Sequence, residues 1–519
     1  MFSDANCDGV DGVVRDSIFV RAGAVRGDGS QGRPFGSITE GLNAVQSTGK
    51  RVILVSEGFY NESVRLMNGV FLHGGYSRDF KSRDLVSHAS VIRGNEGSVS
   101  VYGLNISVRT VVSGFVIEGP DLGMMSSETP GIPSVGVWFR NSSAIELRSN
   151  RIVGGRGGSG LPGLSGSSGY GRKESSAVDG KPGVISARVT GPCQAGSHQY
   201  GGGAGINARC VSANGIRGGN AVCPVYDWSS NLGGLQEYPN RVGGRGGGGR
   251  DWSFDELSGV GCSHATESGF PSEIGTNTGE RGQRGRDGSD GRGGAGGSNN
   301  TGMVRNGFWM ASRAGMHSGA DGSAGGGGGG GGAGGGVAYF YKQLGDCEFH
   351  EMGPSGGGGG AGGCGGAGGG AGGQGGASIG VMVGVVDGFS GALPVIRYNL
   401  MERGFGGDGG DGGVGGAGGL GGNGGEGGRN STWISTKGGG GGDGGNGGTG
   451  GGGGGGSGGP SFDFAGAGVK VSVYLGTNRF LYQDSADRSG RGGSGGRSTS
   501  SGAHGGAGNP GANARVWEF

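Results

Sequence analysis

Residues 406–429 read GGDGGDGGVGGAGGLGGNGGEGGR, which is eight unbroken Gly-Gly-X triplets. The X residues are Asp408, Asp411, Val414, Ala417, Leu420, Asn423, Glu426 and Arg429. Related runs occur at 438–455, at 355–369 before the frame slips by one residue, and at 282–299 in the form Gly-X-X. A period of three indicates a left-handed extended helix with three residues per turn.

An extended helix of this kind has no internal hydrogen bonds, so its backbone groups need partners on other segments. Glycine on two of its three ridges would let neighbouring helices approach and bond backbone to backbone. We therefore expect layers of polyglycine-II helices, in which 24 residues at about 3.1 Å each would span about 74 Å.

The alternative is that these runs are flexible linkers, in which the same length of chain would average about 27 Å end to end. Glycine's large folding entropy favours that alternative. The strict register favours ordered helices, as do the strand-like segments that interrupt the triplets, at 337–341, 379–383 and 469–475.

The composition excludes several classes of protein. Glycine accounts for 148 of 519 residues, but only 14 are proline, which excludes a collagen. The balance of 42 Lys and Arg against 41 Asp and Glu excludes an electrostatic nucleic-acid binder. No run of about 18 apolar residues occurs, so we expect no transmembrane segment.

Residues 15–153 alternate short apolar runs with Gly, Asn, Ser and Asp, a pattern typical of short strands. Val91-Ile92-Arg93-Gly94 recurs 25 residues later as Val116-Ile117-Glu118-Gly119, and a third copy begins at Arg151. A period in the twenties predicts a stacked parallel β-helix, whose first end is covered by a helix with Ser37 as its N-cap and Glu40, three residues on, as the partner in a capping box. The alternative is a β-sandwich with coincidental spacing.

A second sequence similarity links the two halves of the chain. The segments 146–153 and 395–401 both resemble a coil that runs into glycine, so we interpret the glycine runs as insertions between coils. The predicted segments are 1–14 (acidic, calcium-loop-like), 15–153 (parallel β-helix with its cap), 154–376 (glycine-rich with an irregular insert), 377–403 (a β-helix-like coil) and 404–519 (Gly-Gly-X helices and closing strands).

Residues 28–38 (DGSQGRPFGSI), 52–64 (VILVSEGFYNESV) and 72–84 (LHGGYSRDFKSRD) resemble the opening of pectin-lyase-like proteins. The resemblance covers about residues 15–155 and points to glycine-rich secreted or surface proteins of myxobacteria-like Gram-negative bacteria. It implies an all-β fold, a right-handed parallel β-helix, here with long insertions that form polyglycine-II layers. It does not imply an activity, because many surface proteins of this group are not enzymes.

The sequence predicts a calcium site formed by Asp and Asn residues, and disulfide bonds. Asp4, Asn6, Asp8 and Asp11 place oxygen atoms at the spacing of half a calcium loop, although Arg15 stands where an EF-hand has Glu. The alternative there is an acidic tail. The four cysteines of the least repetitive region could form two disulfides, and these are Cys193, Cys210, Cys223 and Cys262.

The irregular region 170–275 is the predicted binding region. Its aromatic residues Tyr226, Trp228, Tyr238 and Trp252 could stack on sugars or anchor a protein partner. The alternative is that they pack over the glycine layers as a lid.

Sequence signatures of catalysis are weak. The seven histidines are scattered, and His73, beside two glycines, is expected to be a structural residue rather than a base. The sequence therefore predicts an extracellular or cell-surface structural protein without enzymatic activity, such as an adhesin, matrix or fibre subunit. We expect self-association, a polysaccharide or cell-surface ligand, calcium as the candidate cofactor, and no nucleic acid. The alternative is a β-helix polysaccharide lyase or glycoside hydrolase.

Overall fold

A computed structural model describes most of the chain. The described residues are 14–94, 99–123, 131–190, 198–222, 237–238, 241–242, 250–253, 278–312, 317–334, 337–341, 347–386, 388–429, 437–483, 487–499 and 503–519.

The scaffold consists of three six-stranded sheets in which every pairing is parallel. Sheet one contains, in spatial order, Ser17–Val20, Val52–Ser56, Phe71–Tyr76, Thr110–Ser113, Ile145–Arg148 and Val395–Arg397. Sheet two contains Gly58–Asn61, Ser90–Arg93, Phe115–Glu118, Arg151–Val153, Leu400–Glu402 and Arg479–Phe480. Sheet three contains Val64–Arg65, Val99–Leu104, Ser134–Arg140, Ser378–Gly384, Ser461–Ala467 and Asn513–Glu518.

From residue 52 to residue 467, the chain visits sheets one, two and three in turn, so each of these rounds adds one strand to each sheet. The last round adds strands only to sheet two, at Arg479–Phe480, and to sheet three, at Asn513–Glu518. The predicted repeat is confirmed, since Ile92, Ile117 and Ile152 occupy one register position of sheet two. β-Branched and aromatic residues favour such half-buried strands. Stacked buried side chains from successive rounds, such as Leu72, Val112, Leu147 and Ile396, form one continuous core.

One α-helix, Ile38–Thr48, covers the first end of the core with Ile38 and Leu42. The predicted capping box is confirmed: the Ser37 side chain accepts from the Glu40 N–H, and Glu40 reaches back to the backbone of Ser37. The Glu62 carboxylate also accepts the N–H groups of Ile38 and Thr39. The helix ends at Gly49, whose φ of 68° suits glycine.

A ladder of asparagine side chains holds the later rounds in register. The Asn150 side chain donates to Asn399 Oδ1 at 3.1 Å, and the Asn399 side chain donates to Asn478 Oδ1 at 2.9 Å. Each also donates to a backbone carbonyl of an adjacent round. The sequence similarity between 146–153 and 395–401 is therefore explained by two stacked rounds, because Leu147 pairs with Ile396.

All the long insertions leave the scaffold at the same corner, between a strand of sheet two and the next strand of sheet three. They span 154–377, 403–460 and 481–512. Ser378–Gly384 therefore completes the round that began at Ile145, and Val395 begins the next round. The predicted closing strand at the chain's end is confirmed as Asn513–Glu518.

The strand predicted at 469–475 is wrong. Ser472–Thr477 forms a 3₁₀-helix instead. Val471 and Tyr474 are buried three residues apart, which is the spacing of one face of a 3₁₀-helix rather than the alternation of a strand.

The described parts of the insertions contain nine glycine-rich segments, which we number as tracts in chain order. They are tract 1 (157–184), tract 2 (201–219), tract 3 (279–297), tract 4 (317–334), tract 5 (355–376), tract 6 (404–428), tract 7 (438–459), tract 8 (487–498) and tract 9 (503–512). Hydrogen bonds between tracts recur every three residues. For example, the N–H groups of Gly407, Gly410 and Gly413 donate to the carbonyls of Gly376, Gly373 and Gly370.

The sheets extend directly into two layers of tracts. Tracts 1, 6 and 8 follow the last three strands of sheet two and are hydrogen-bonded side by side, starting with Gly157 N–H to Phe405 O and Gly406 N–H to Arg488 O. Tracts 5, 7 and 9 precede the last three strands of sheet three and are joined in the same way. The register of each layer is thus continuous with the register of a sheet.

The middle of tract 5 shows how complete this bonding is. Gly357 donates to Gly439 in tract 7, Gly358 to Lys181 in tract 1 and Gly359 to Ile216 in tract 2. The same three directions recur at residues 360–362. Tracts 4 and 6 donate back to the carbonyls of tract 5, so this segment bonds to five other tracts.

Glycine occurs on the ridges that a neighbouring tract covers. One ridge of tract 7 carries the side chains of Asp443, Asn446 and Thr449, and then continues as glycine at 452, 455 and 458. A Cβ atom at these three glycines would overlap the carbonyl oxygens of tract 8. Tract 3 shows the same pattern. One of its ridges carries Arg and Asp first and then glycine at 293 and 296, where a Cβ atom would overlap carbonyl oxygens of tract 9.

This rule predicts opposite outcomes for two glycines on the same ridge. Gly455→Ala places a methyl group against the carbonyl of Gly493 and should destabilise the protein by about 2 kcal/mol, within the range for overpacking. Gly440→Ala meets nothing closer than 3.5 Å and should be neutral or slightly stabilising. Urea unfolding of both variants measures the difference, and equal destabilisation would contradict the rule.

Candidate functional site

The predicted calcium ligands Asp4, Asn6, Asp8 and Asp11 lie outside the described residues, so this site stays a prediction. Within the described part of the chain, no group of three or more His, Cys, Asp or Glu residues is arranged to hold a metal ion.

The disulfide prediction needs a correction. Cys210 is bonded to Cys364, with 5.6 Å between the Cα atoms, and not to another member of the predicted set. Cys364 occupies an X position of tract 5, and Cys210 lies in the turn between the two halves of tract 2. The tracts bring the two residues together although 154 residues separate them in sequence. Cys193, Cys223 and Cys262 lie outside the described residues.

The predicted aromatic residues are placed only in part. Tyr226 and Trp228 lie outside the described residues, Tyr238 belongs to the strand Glu237–Tyr238, and Trp252 belongs to Arg250–Ser253. The last of these strands pairs in parallel with Val337–Tyr341, so that Trp252 is opposite Tyr339.

Trp252 therefore belongs to a four-stranded sheet, which we call the distal sheet. Its strands, in spatial order, are Ala187–Thr190, Cys347–Met352, Val337–Tyr341 and Arg250–Ser253. Tract 1 leads from the scaffold to Ala187, and tract 5 leads from Met352 back to the scaffold. The distal sheet thus lies at the far end of the tracts, away from the three parallel sheets.

Acidic and amide side chains at X positions have a structural role that sequence reasoning missed. Their oxygens accept backbone N–H groups of neighbouring tracts at 2.7–3.0 Å. The accepting residues are Asp179, Asp287, Asp290, Asp321, Asp408, Asp411, Asp443 and Asn446. Asp443 and Asn446 accept the N–H groups of Gly424 and Gly421, respectively. These two glycines lie in the half of tract 6 beyond its last hydrogen bond to tract 8 among the described residues.

His73 lies on the outer face of sheet one, in a cluster with Ser113 and Arg83. His73 Nδ1 lies 2.8 Å from Ser113 Oγ, and Arg83 donates to the same hydroxyl at 3.0 Å. Burial, and then the positive charges of Arg83, Arg148 and Arg109, lower the pKa of His73 to about 3. The imidazole is therefore neutral at physiological pH and poorly suited to act as a base.

Glu146 lies near this cluster and is held by arginine residues. Burial alone would raise its pKa, but Arg397, Arg148 and Arg109 outweigh burial and keep the pKa below its usual value. Glu146 accepts from Arg397 at 2.8 Å and from Arg109 at 3.2 Å. An ionised carboxylate in this setting stabilises stacked strands and is not available as a general acid.

A groove of about 460 Å³ runs along the corner between sheets one and two. Its described lining contains no Asp, Glu or His; it consists of Leu85, Val86, Ala89, Gly114, Phe115, Val116, Ser149, Asn150, Arg151, Tyr398 and Leu400. The described lining therefore offers an apolar surface with one cation but no acid–base pair.

A buried ion pair lies where tract 6 leaves the scaffold. Arg403 Nε is 3.2 Å from Asp463 Oδ2, and both side chains are almost completely buried. Arg403 also donates to the Gln483 carbonyl and to Asn513 Oδ1, so it links two successive rounds. Its geometry is that of a structural clamp.

The pKa of His73 generates a pH prediction. In the unfolded chain the imidazole takes up a proton near pH 6.5, whereas in the folded protein it does so only near pH 3. Stability should therefore fall as the pH drops through this window. His73→Asn removes this proton uptake, so its urea midpoint should fall less steeply than the wild-type midpoint between these two pH values. Parallel curves for the two proteins would contradict this assignment.

No helix among the described residues is long and apolar enough to cross a membrane. In comparisons with known proteins, no family model, no curated protein and no solved structure matches the chain.

Proposed function

We propose that the chain is an extracellular or cell-surface structural protein without enzymatic activity, built as a right-handed parallel β-helix that carries polyglycine-II layers. In this proposal the β-helix is the base, the glycine layers are a rigid arm, and the distal sheet is presented at the end of the arm. The protein then acts as an adhesin, a matrix component or a fibre subunit.

The β-helix is supported by the order in which the chain visits its sheets. The five rounds between residues 52 and 467 each add one strand to each of three parallel sheets, and the stacked side chains share one core. The helix Ile38–Thr48 covers the first end, as the terminal unit of a solenoid must.

The observation that carries the proposal is the hydrogen bonding of tract 5. Residues 357–362 all donate to another tract, in three directions that repeat every three residues. This matches the three-fold period of the extended helix and leaves no flexible connection in that segment. At about 3.1 Å per residue, the 22 residues of tract 5 would form an arm about 68 Å long.

Such an arm suits presentation rather than catalysis. It holds the distal sheet, with the predicted binding residue Trp252, far from the scaffold. Aromatic residues in such a region would stack on a surface polysaccharide or anchor a protein ligand. The Cys210–Cys364 bond supports export, since disulfides persist in oxidising compartments.

A carbohydrate-active enzyme is the competing function. Pectin-lyase-like folds act on acidic polysaccharides, and the groove beside Tyr398 is the described surface where such a chain could lie. Without an acid–base pair in its described lining we propose no catalysis there. A reducing-sugar assay over a panel of acidic polysaccharides should give no product above a heat-denatured control, and turnover of any member would favour the enzyme.

Surface exposure has a direct test. Intact cells that produce the chain are treated with a membrane-impermeant amine-reactive label, and the labelled lysines are mapped by mass spectrometry. We expect exposed Lys173 and Lys181 of tract 1 to be labelled before lysis. A known cytoplasmic protein is the control, and labelling of the chain only after lysis would contradict the proposal.

A further inference from the structure

Tracts 1 and 6 share an aliphatic side, and tract 2 also exposes Ile206 and Val211. Six exposed aliphatic residues lie on tract 1, at the residue after it, or on tract 6, with exposed fractions between 41% and 84%. They are Leu161, Leu164, Val184, Ile185, Val414 and Leu420, and we call this set the aliphatic face. Tracts 3, 4, 5, 7, 8 and 9 contain no Leu, Ile, Val, Met or Phe at all.

The aliphatic face follows tracts 1 and 6, which are hydrogen-bonded to each other on both sides of the turn and 3₁₀-helix at residues 171–179 of tract 1. Gly160 donates to Asp408, Gly166 to Val414 and Gly183 to Glu426. The exposed side chains of both tracts therefore project from the same layer. A contiguous, exposed apolar surface of this kind on a polar protein indicates an interaction site.

The pattern of the face is symmetric about Ala417. On tract 6, Val414 and Leu420 lie three residues to either side of Ala417, and Asp411 and Asn423 lie six residues to either side. On tract 1, Gly160 and Gly183 are bonded to Asp408 and Glu426, which lie nine residues to either side. Leu161 and Val184, the residues that follow these glycines, are therefore equidistant from the centre.

From this symmetry we propose that the aliphatic face binds the same face of a second copy of the chain, with the tracts of the two copies antiparallel. A two-fold axis near Ala417 places Val414 on Leu420 and Leu161 on Val184, while Leu164, which follows Gly163 opposite Asp411, lies beside Lys181 of the second copy. This isologous arrangement is the commonest form of homodimer.

Charge complementarity and interface area both fit a second copy of the chain on this face. The same axis brings Asp411 toward Lys181 of the second copy, because Gly180 is bonded to Asn423. Tract 6, with 25 residues, would be about 75 Å long. Two bonded tracts about 4.8 Å apart then offer on the order of 800 Å² per copy, which is the size of a standard stable interface.

The inference rests on the proposed ordered glycine layers and adds the surface through which copies associate. The test uses sedimentation equilibrium of the full chain over a range of micromolar concentrations. The double variant Leu161→Glu with Val414→Glu puts charge on the apolar centre of each half of the face, and both positions are exposed, so folding should be preserved. Val86→Glu is the control, because Val86 is 93% exposed but lies on the scaffold.

We expect a wild-type dimer, a control that dimerises equally well, and a double variant whose dissociation constant is weaker by about tenfold or more. A monomeric wild type overturns the inference, as does association that survives the double variant or is lost equally in the control. Amide hydrogen exchange on the same samples separates the two levels. Protected tracts in a monomer refute only the dimer, whereas unprotected tracts refute the proposed layers as well.

Discussion

The close approach of backbones that lack Cβ atoms is the constraint on which this structure depends. A chain that repeats every three residues forms no hydrogen bonds within itself, so its amide groups must find partners on neighbouring segments. Glycine allows that approach, and the charged X residues of tracts 3 and 7 lie on stretches of their ridges that tracts 8 and 9 do not cover. On this ridge of tract 7, the residue changes from Thr449 to Gly452 at the point where tract 8 begins to lie against it. The residue type along the tract therefore follows the presence of a neighbour.

The parallel sheets solve the problem of aligning these tracts. Strands of successive rounds are hydrogen-bonded neighbours, and the tracts that leave or enter them at one corner stay neighbours. Gly154 N–H, for example, donates to the Glu402 carbonyl where sheet two gives way to tracts 1 and 6. The scaffold therefore supplies register, which glycine tracts could not fix by themselves, because they have few side chains to distinguish one alignment from another.

The features that depend on local sequence pattern could be predicted from the sequence. The Ser37 capping box, the repeat through Ile92, Ile117 and Ile152, and the parallel all-β architecture follow from spacing and residue type. Features that depend on tract packing could not be predicted. Cys364 meets Cys210 only because tract 5 lies against tract 2, and the Asp443 carboxylate has a partner only because tract 6 lies beside tract 7.

Amide hydrogen exchange across tract 5 tests the central claim most directly. Every N–H from Gly357 to Ala361 donates to another tract, so these amides should exchange as slowly as those of the buried strand Ser378–Gly384 that follows. Exposed amides of the turn near Arg26 provide the unprotected reference. Exchange of 357–361 at the rate of that reference, with the strand still protected, would show that the glycine tracts are linkers and would contradict the account.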